Sequence, residues 1–319
     1  MGRRISRRIT IRRGYRSMYL LIVNPNAGNG HAKKIFERIQ KMTSYRNIER
    51  KALFTNQPGD GQIIVETYSK KEYIKHVIVI GGDGTMHEVM NGWSNQSVSI
   101  SFIPGGSGND FAKGIGQRDT AEKQWQNIIS NPANPNFWNG SFQLENGREK
   151  KFINSIGIGI DAATTEIANQ SHLKIWLNQL KLGKLIYLIA LIQAILRFQP
   201  MNIRLTYDGR IRHIENAWIV SAANHPYCGG GLKVVPHATV NPHNLSILVI
   251  HQISKKKILL LFLLVIFGLH QYLKEVELFQ VKEMTIEVES PVSYQADGET
   301  GRLQTCYIKR EKQAVYIKK

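Results

Sequence analysis

Short apolar runs punctuate the first third of the chain, several of them closed by loops of glycine, asparagine and proline. Tyr19 to Val23 reads as a strand, followed by the loop Asn24-Pro25-Asn26-Ala27-Gly28-Asn29-Gly30. His31 to Met42 reads as a helix, with Ala32, Ile35, Ile39 and Met42 at helical spacing. Lys51 to Thr55 is a short strand and Gly61 to Ser69 a helix. His76 to Ile80 is a strand, Gly81 to Thr85 a turn, and Thr85 to Trp93 a helix. Val98 to Ile103 is a strand that runs into Pro104-Gly105-Gly106-Ser107-Gly108-Asn109-Asp110. Strands alternating with helices predict a parallel sheet covered on both faces. Such sheets bind ligands beyond the carboxyl ends of their strands, where all three glycine loops fall.

The pattern changes after Asn131-Pro132-Ala133-Asn134-Pro135-Asn136, which reads as a linker. Strand-like segments then dominate, at Trp138 to Leu144, Lys151 to Gly157, Met201 to Tyr207, Ile211 to Ala223, Leu245 to His251 and Met284 to Val288. Helix-like inserts interrupt them at 172–198 and 254–274. The expected fold class is α/β. A parallel-sheet nucleotide-binding domain over 18–135, with a return of 303–319, precedes a β-sandwich-like domain with helical inserts over 136–302.

Composition narrows the functions. The 319 residues favour two domains, and a net charge of +18 calls for an anionic partner such as a membrane surface, a nucleic acid or a phosphorylated ligand. Residues 1–17 hold seven arginines and no acid, and read as a disordered basic arm or as a segment before a natural start at Met18. They lack the apolar core of a secretory signal. Cys228 and Cys306 show no metal-ligand spacing, so neither a zinc site nor a disulfide framework is indicated, and a reducing compartment fits. The longest apolar run, Ile258 to Leu269, falls short of the roughly 18 residues that a membrane span needs.

The candidate chemistry begins at Gly81-Gly82-Asp83-Gly84-Thr85, where a buried strand would stop. Glycine lets a backbone approach a ligand closely, and a turn from strand to helix aims N–H groups at phosphate. Three other motifs accompany it: Asn24 to Gly28, Pro104 to Ala112, and Asp297-Gly298-Glu299. Supporting pieces are Asn154 to Ala162 and Gly229-Gly230-Gly231-Leu232-Lys233.

In this order, from Met18 onward, the set resembles the diacylglycerol kinase catalytic domain family, which includes bacterial lipid kinases and sphingosine kinases. The glycine pentad alone also occurs in NAD kinases and phosphofructokinases. The resemblance implies an ATP- and Mg²⁺-dependent lipid kinase acting on a hydroxyl of a membrane lipid such as diacylglycerol, or on a sphingoid base. It implies that Asn24, Pro25, Asn26, Ala27, Gly28, Thr55, Gly82, Asp83, Gly84, Thr85, Met86, His87, Glu88 and Ser107 line the ATP site. Asp83 would handle Mg·ATP, and Asp110 would sit near the reacting phosphate. Glu299 matches the general base, with Asp161 as a supporting carboxylate close enough to tune it. Phosphoryl transfer needs positioning and charge neutralisation more than covalent help, and a carboxylate can take the proton of a lipid hydroxyl.

Two departures stand out. His87 occupies a position where the family usually has Asn. Many bacterial members hold a structural Mg²⁺ at an Asp-rich turn, but here Thr239 to Asn244 carries Pro242 and only asparagines and carbonyls, so that site is expected to be weak or absent. His225, His237, His243 and His251 read as surface or strand histidines. Lys174, Lys181, Lys184 and Arg197 edge one apolar insert, and Lys255-Lys256-Lys257 precedes the other. Basic residues beside apolar surface suit an anionic membrane, against the competing reading of buried helices with a basic solvent face. A cytoplasmic protein at the inner face of the cell membrane follows, with a homodimer left open and nucleic acid supported by charge alone. The alternatives are an NAD kinase-like small-molecule kinase and a non-catalytic lipid-binding regulator of the same fold.

Overall fold

The computed structural model describes residues 17–319 apart from 96, 133, 146 and 171–182, and for 134–136, 170 and 183–188 it describes the backbone only. The expected basic arm therefore lies outside the described residues, as do Lys174 and Lys181. Strands β1 (Met18–Val23), β2 (Arg50–Phe54), β3 (Ile74–Gly81) and β4 (Ser99–Pro104) run parallel in the order β4-β3-β1-β2. Parallel strands buried on both faces read as continuous apolar runs, and alternate residues of these runs enter two cores. Leu20, Ile22, Val77 and Val79 pack with Met86, Val89 and Met90 on one face. Leu21, Val23, Ile78 and Ile80 pack with Ile35, Ile39 and Trp125 on the other.

The second half is antiparallel. It comprises β5 (Asn134–Leu144), β6 (Lys150–Phe152), β7 (Ser155–Gly159), β8 (Met201–Tyr207), β9 (Arg210–Ala223), the small pair β10 (Tyr227–Cys228) and β11 (Leu232–Lys233), β12 (Leu245–His251), β13 (Val276–Val281), β14 (Glu283–Ala296) and β15 (Glu299–Ile317). Strand β15 pairs with β14 and β5, and its last residue, Ile317, pairs in parallel with Ile100 of β4. One strand thus joins the two halves into a single sheet. Ser101 Oγ donates to the Lys318 carbonyl at 2.8 Å and closes the seam.

The sequence reading departs from this structure in several places. The linker over 131–136 is partly strand, because β5 begins at Asn134 and pairs with Ile317. The strand expected over Lys151 to Gly157 is broken at Ile153-Asn154, whose N–H groups bond to Asp297 instead of a neighbouring strand. Strand β14 runs well past Val288, with its register shifted between Glu287 and Val292 around Pro291, which has no N–H to give to the ladder. The helices Asp110–Gly114, Ala121–Ser130 and Ile160–Gln170, and strand β13, were not foreseen. The inserts are helical at Gly183–Arg197 and Lys255–Ile266, the second capped by Ser254, whose side chain accepts from Lys257 N–H. No helix among the described residues is long and apolar enough to cross a membrane.

Candidate active site

Three glycine loops meet at the carboxyl edge of the parallel sheet. Asn24 N–H donates to the Ile80 carbonyl at 2.9 Å, and Gly105 N–H to the Gly81 carbonyl at 2.7 Å. The loops touch backbone to backbone. A Cβ on Gly28, whose φ is +60°, would lie 2.2 Å from the Gly105 carbonyl oxygen, and one on Gly106 would lie 2.6 Å from Gly82 Cα. Asn24 Nδ2 donates to Thr85 Oγ1 at 3.0 Å, tying the first loop to the second. Asp83 ties the second to the third: its two oxygens accept N–H from Asp110 (3.0 Å) and Phe111 (2.9 Å). Burial first, and then the neighbouring Asp110 charge, outweigh these bonds and raise its carboxyl to about 6.

Some expected nucleotide residues serve other ends. Met86 points into the core and is fully buried. Glu88 accepts N–H from Gly59 (2.9 Å) and Gly61 (3.0 Å), capping the helix Asp60–Tyr68. Thr55 is buried, and its N–H donates to the Val23 carbonyl. Pro25, Asn26, Gly82 and Ser107 lie on the loops at this edge, and Ala27, Gly84 and Thr85 in the first turns of the helices that follow, with Asn26, Gly84 and Ser107 exposed. Asp110 is buried beneath them. Its Oδ2 accepts Gly230 N–H at 2.8 Å, joining the third loop to the glycine run of the β-rich half, and Lys113 Nζ stands 3.5 Å from Oδ1.

The tripeptide Asp297-Gly298-Glu299 is the tight turn between β14 and β15, with φ of +50° at Asp297 and +95° at Gly298. The Asp297 side chain is fully buried. Its oxygens accept N–H from Ile153 (2.7 Å), Asn154 (2.8 Å) and Ser155 (3.2 Å), and His87 Nδ1 stands 2.7 Å away. His87, expected to line the nucleotide site, instead faces the β-rich half. Its Nε2 lies 3.6 Å from the half-exposed Glu299 carboxylate, with Lys150 Nζ at 3.8 Å on the far side.

These neighbours correct the tuning expected of Glu299. The His87 ring 3.6 Å away leads in holding its pKa below the usual value, with Lys150 adding to the effect. Asp161, the expected tuner, reaches the turn only through Gln295. Gln295 Nε2 lies 3.5 Å from Asp161 Oδ2, and Gln295 Oε1 accepts Gly298 N–H at 3.1 Å. It is Asp161 whose pKa is raised, to about 6, chiefly by burial.

The turn over 239–244 is closed by its own groups. Asn241 Oδ1 accepts N–H from His243 and Asn244, and Asn241 Nδ2 donates to the Thr239 carbonyl. The Asn244 carbonyl accepts from Arg310 Nε (3.1 Å) and Nη2 (2.8 Å). Arg310 also donates to the Trp138 carbonyl and to Asn224 Oδ1. This buried guanidinium, lowered to about 10 by burial, fastens the turn to the seam strand. His225, read as a surface or strand residue, is buried at the same junction, with Nε2 2.9 Å from Asn154 Oδ1.

The signals that sequence reading missed were weak. Period-2 alternation puts Arg310 on the inward face of β15 with Cys306 and Ile308. Asp297-Gly298 announces a hairpin turn, but nothing local announces the donors gathered on Asp297.

Loops of this kind at a parallel-sheet edge, faced by a carboxylate from a β-rich half, define a two-domain α/β phosphotransferase fold. Residues 18–136 match the model of the diacylglycerol kinase catalytic domain, and residues 154–308 that of the YegS C-terminal NAD kinase beta sandwich-like domain. A Bacillus subtilis (strain 168) protein named "Putative lipid kinase YtlR" is 31% identical over 288 residues, covering 89% of this chain and 93% of its own. A diacylglycerol kinase of Mycobacterium tuberculosis (strain ATCC 25618 / H37Rv) is 26% identical over 279 residues, 87% of each chain. A Bacillus anthracis str. Sterne crystal structure described as a "putative diacylglycerol kinase" superposes with a TM-score of 0.76 at 24% identity, over 95% of this chain and 98% of its own. The chain belongs to the diacylglycerol kinase catalytic domain family, a family of lipid kinases.

Proposed function

We propose that this protein is an ATP-dependent kinase that phosphorylates a hydroxyl of a membrane lipid such as diacylglycerol. The observation that carries this reading is the approach of Glu299 to His87, on the helix that rises from the second glycine loop. It sets a carboxylate of the β-rich half beside the loops that offer N–H groups to phosphate. In the proposed step the lipid oxygen forms a new bond to the γ-phosphorus. The bridging P–O bond breaks with its electron pair leaving on ADP, and the hydroxyl proton passes to Glu299 and then to solvent. Mg²⁺, arriving with the nucleotide, would neutralise phosphate charge. Asp83 and Asp110 already accept N–H groups, which supports a metal held largely by the nucleotide's own oxygens.

An outer apolar face supports a membrane-borne acceptor. Leu259, Leu260, Leu263, Ile266 and Phe267 are exposed on one insert, and Ile189, Ile192 and Leu196 on the other. Residues 183–198 and 252–274 contain lysines and an arginine but no acid, a charge complement to anionic lipid headgroups. The inserts pack on one another, and Gly183–Arg197 packs on the helix Ile160–Gln170, where Asn169 Nδ2 donates to the Gly298 carbonyl at 3.3 Å. The occupant we assign to this face is an anionic bilayer, reached from the cytoplasmic side.

The test is transfer from radiolabelled ATP across a panel of diacylglycerol, sphingoid bases and NAD, with Glu299→Ala as control. Transfer to a lipid, lost by about 10²- to 10⁴-fold in the control, is the expected result. Transfer to NAD and to no lipid would overturn the reading.

A further inference from the structure

The protons on the His87 ring can be read from its neighbours. Both Asp297 oxygens accept backbone N–H groups, so His87 Nδ1 at 2.7 Å is read as the donor to this carboxyl group. Besides Glu299, the Nε2 atom has the side-chain nitrogen of Asn91 at 3.2 Å. That amide's orientation is fixed. Its Oδ1 accepts Lys151 N–H at 2.8 Å, and its Nδ2 donates to the carbonyls of His87 (3.1 Å) and Lys151 (3.0 Å). An amide nitrogen has two hydrogens, and three acceptors share them, so Asn91 does not by itself set the state of Nε2. The carboxyl oxygens on either side of the ring, Asp297 at 2.7 Å from Nδ1 and Glu299 at 3.6 Å from Nε2, favour a proton on each nitrogen. A ring with both nitrogens protonated is an imidazolium.

We propose that His87 is a charged positioning residue, pinning the Glu299 carboxylate of the β-rich half to the helix that rises from the second glycine loop. The proposal rests on the reading of Glu299 as the base and reaches past it, to how that base is held. Asp297 anchors the imidazolium from below, in a side chain fully shielded from solvent, while Glu299 remains half-exposed where an acceptor can approach. The charged groups around the ring are Asp297 and Glu299 from the turn and β15, Lys150 and Lys151 from β6, and Asp83 and Glu88 from its own helix. Lys150 sits beyond Glu299, Lys151 Nζ donates to the Trp93 carbonyl, and Asp83 and Glu88 accept backbone N–H groups. Burial alone would discharge the ring, but its bonds and charge interactions with Asp297 and Glu299 prevail and raise it to about 9. A cation beside Glu299 weakens it as a base. Phosphoryl transfer tolerates this, because a loose transition state needs the acceptor oriented more than it needs early proton removal.

Two measurements on the full chain test the proposal. In ¹⁵N-histidine NMR, with the His87 signals assigned by their loss in His87→Gln, both ring nitrogens should be protonated at neutral pH and lose a proton only near pH 9. Glu299→Gln, a change at a half-exposed site, should lower the proton affinity of His87 roughly three- to tenfold. In kinetics, His87→Asn should lower kcat about ten- to a hundredfold, with KM for ATP within about twofold. Wild-type kcat should decline as pH passes about 9, and the variant should show no such decline. A His87 that titrates in the ordinary histidine range, a midpoint indifferent to Glu299→Gln, or wild-type kcat in His87→Asn would each overturn the proposal. The NMR arm needs no acceptor, so it decides the role of His87 even if no lipid is phosphorylated and the functional reading fails.

Discussion

The two walls of the candidate site are built by different means. The glycine-loop wall is backbone: three loops stacked so closely that a Cβ at Gly28 would collide with a carbonyl oxygen. The opposite wall is side chain: Asp297 and Glu299 with His87, which lies 210 residues from Asp297 in sequence, held by charge and hydrogen bonds. A backbone wall fails by steric exclusion, and a side-chain wall by loss of a partner. The difference teaches where each wall is vulnerable, and four variants probe the walls and their surroundings.

The largest effect is expected at Asp297→Asn. An amide cannot replace a carboxylate that accepts four donors, one of them cationic, and removing one partner of a buried pair costs about 3–5 kcal/mol. Denaturant unfolding should register that loss, and an unchanged midpoint would move Asp297 out of the structural frame. Gly28→Ala comes next, at about 1–3 kcal/mol from crowding with added strain at φ +60°. It should weaken nucleotide binding in calorimetry more than it weakens binding to lipid vesicles. Equal loss of both would deny that the walls are independent.

Asp161→Asn should stabilise. A carboxyl whose folded pKa, about 6, lies above its unfolded value takes up a proton on folding. Its favourable contribution is complete below about pH 4 and is lost as pH rises through about 6. Removing the charge should therefore raise Tm at pH 8, by about 1–2 kcal/mol of stability, and leave Tm unchanged at pH 4. The smallest effect belongs to the outer face. Replacing Leu263 and Phe267 together by Ser should reduce co-sedimentation with phosphatidylglycerol vesicles about three- to tenfold, with no change in unfolding midpoint. Binding equal to wild type would show that the face meets something other than a bilayer.

The same contrast explains what the sequence disclosed. Apolar runs ending in glycine loops are local patterns, so the parallel sheet and its glycine-loop edge were legible from Tyr19 to Asp110. Glu299 was singled out only through family resemblance. Asp297 looked like half of a tight turn, because its three backbone partners lie more than 140 residues earlier. His87 and Glu88 sit on the helix that follows the glycine pentad, yet one turns to the other half and the other caps a neighbouring helix. Motif membership gave their address and not their direction.

Strand β15 carries a consequence for how the protein can be divided. It starts at Glu299 and ends, as the last of its 19 residues, at Ile317 paired with Ile100. Similarity divides the chain near residue 136, but a fragment cut there would leave the free edge of β4 without Ile317, and a fragment ending at 308 would lose Arg310 as well. Halves recognisable by descent are thus incomplete as folding units. The intact chain should melt in one cooperative transition, and a handful of residues at its far end should matter to the parallel sheet as much as any of that sheet's own strands.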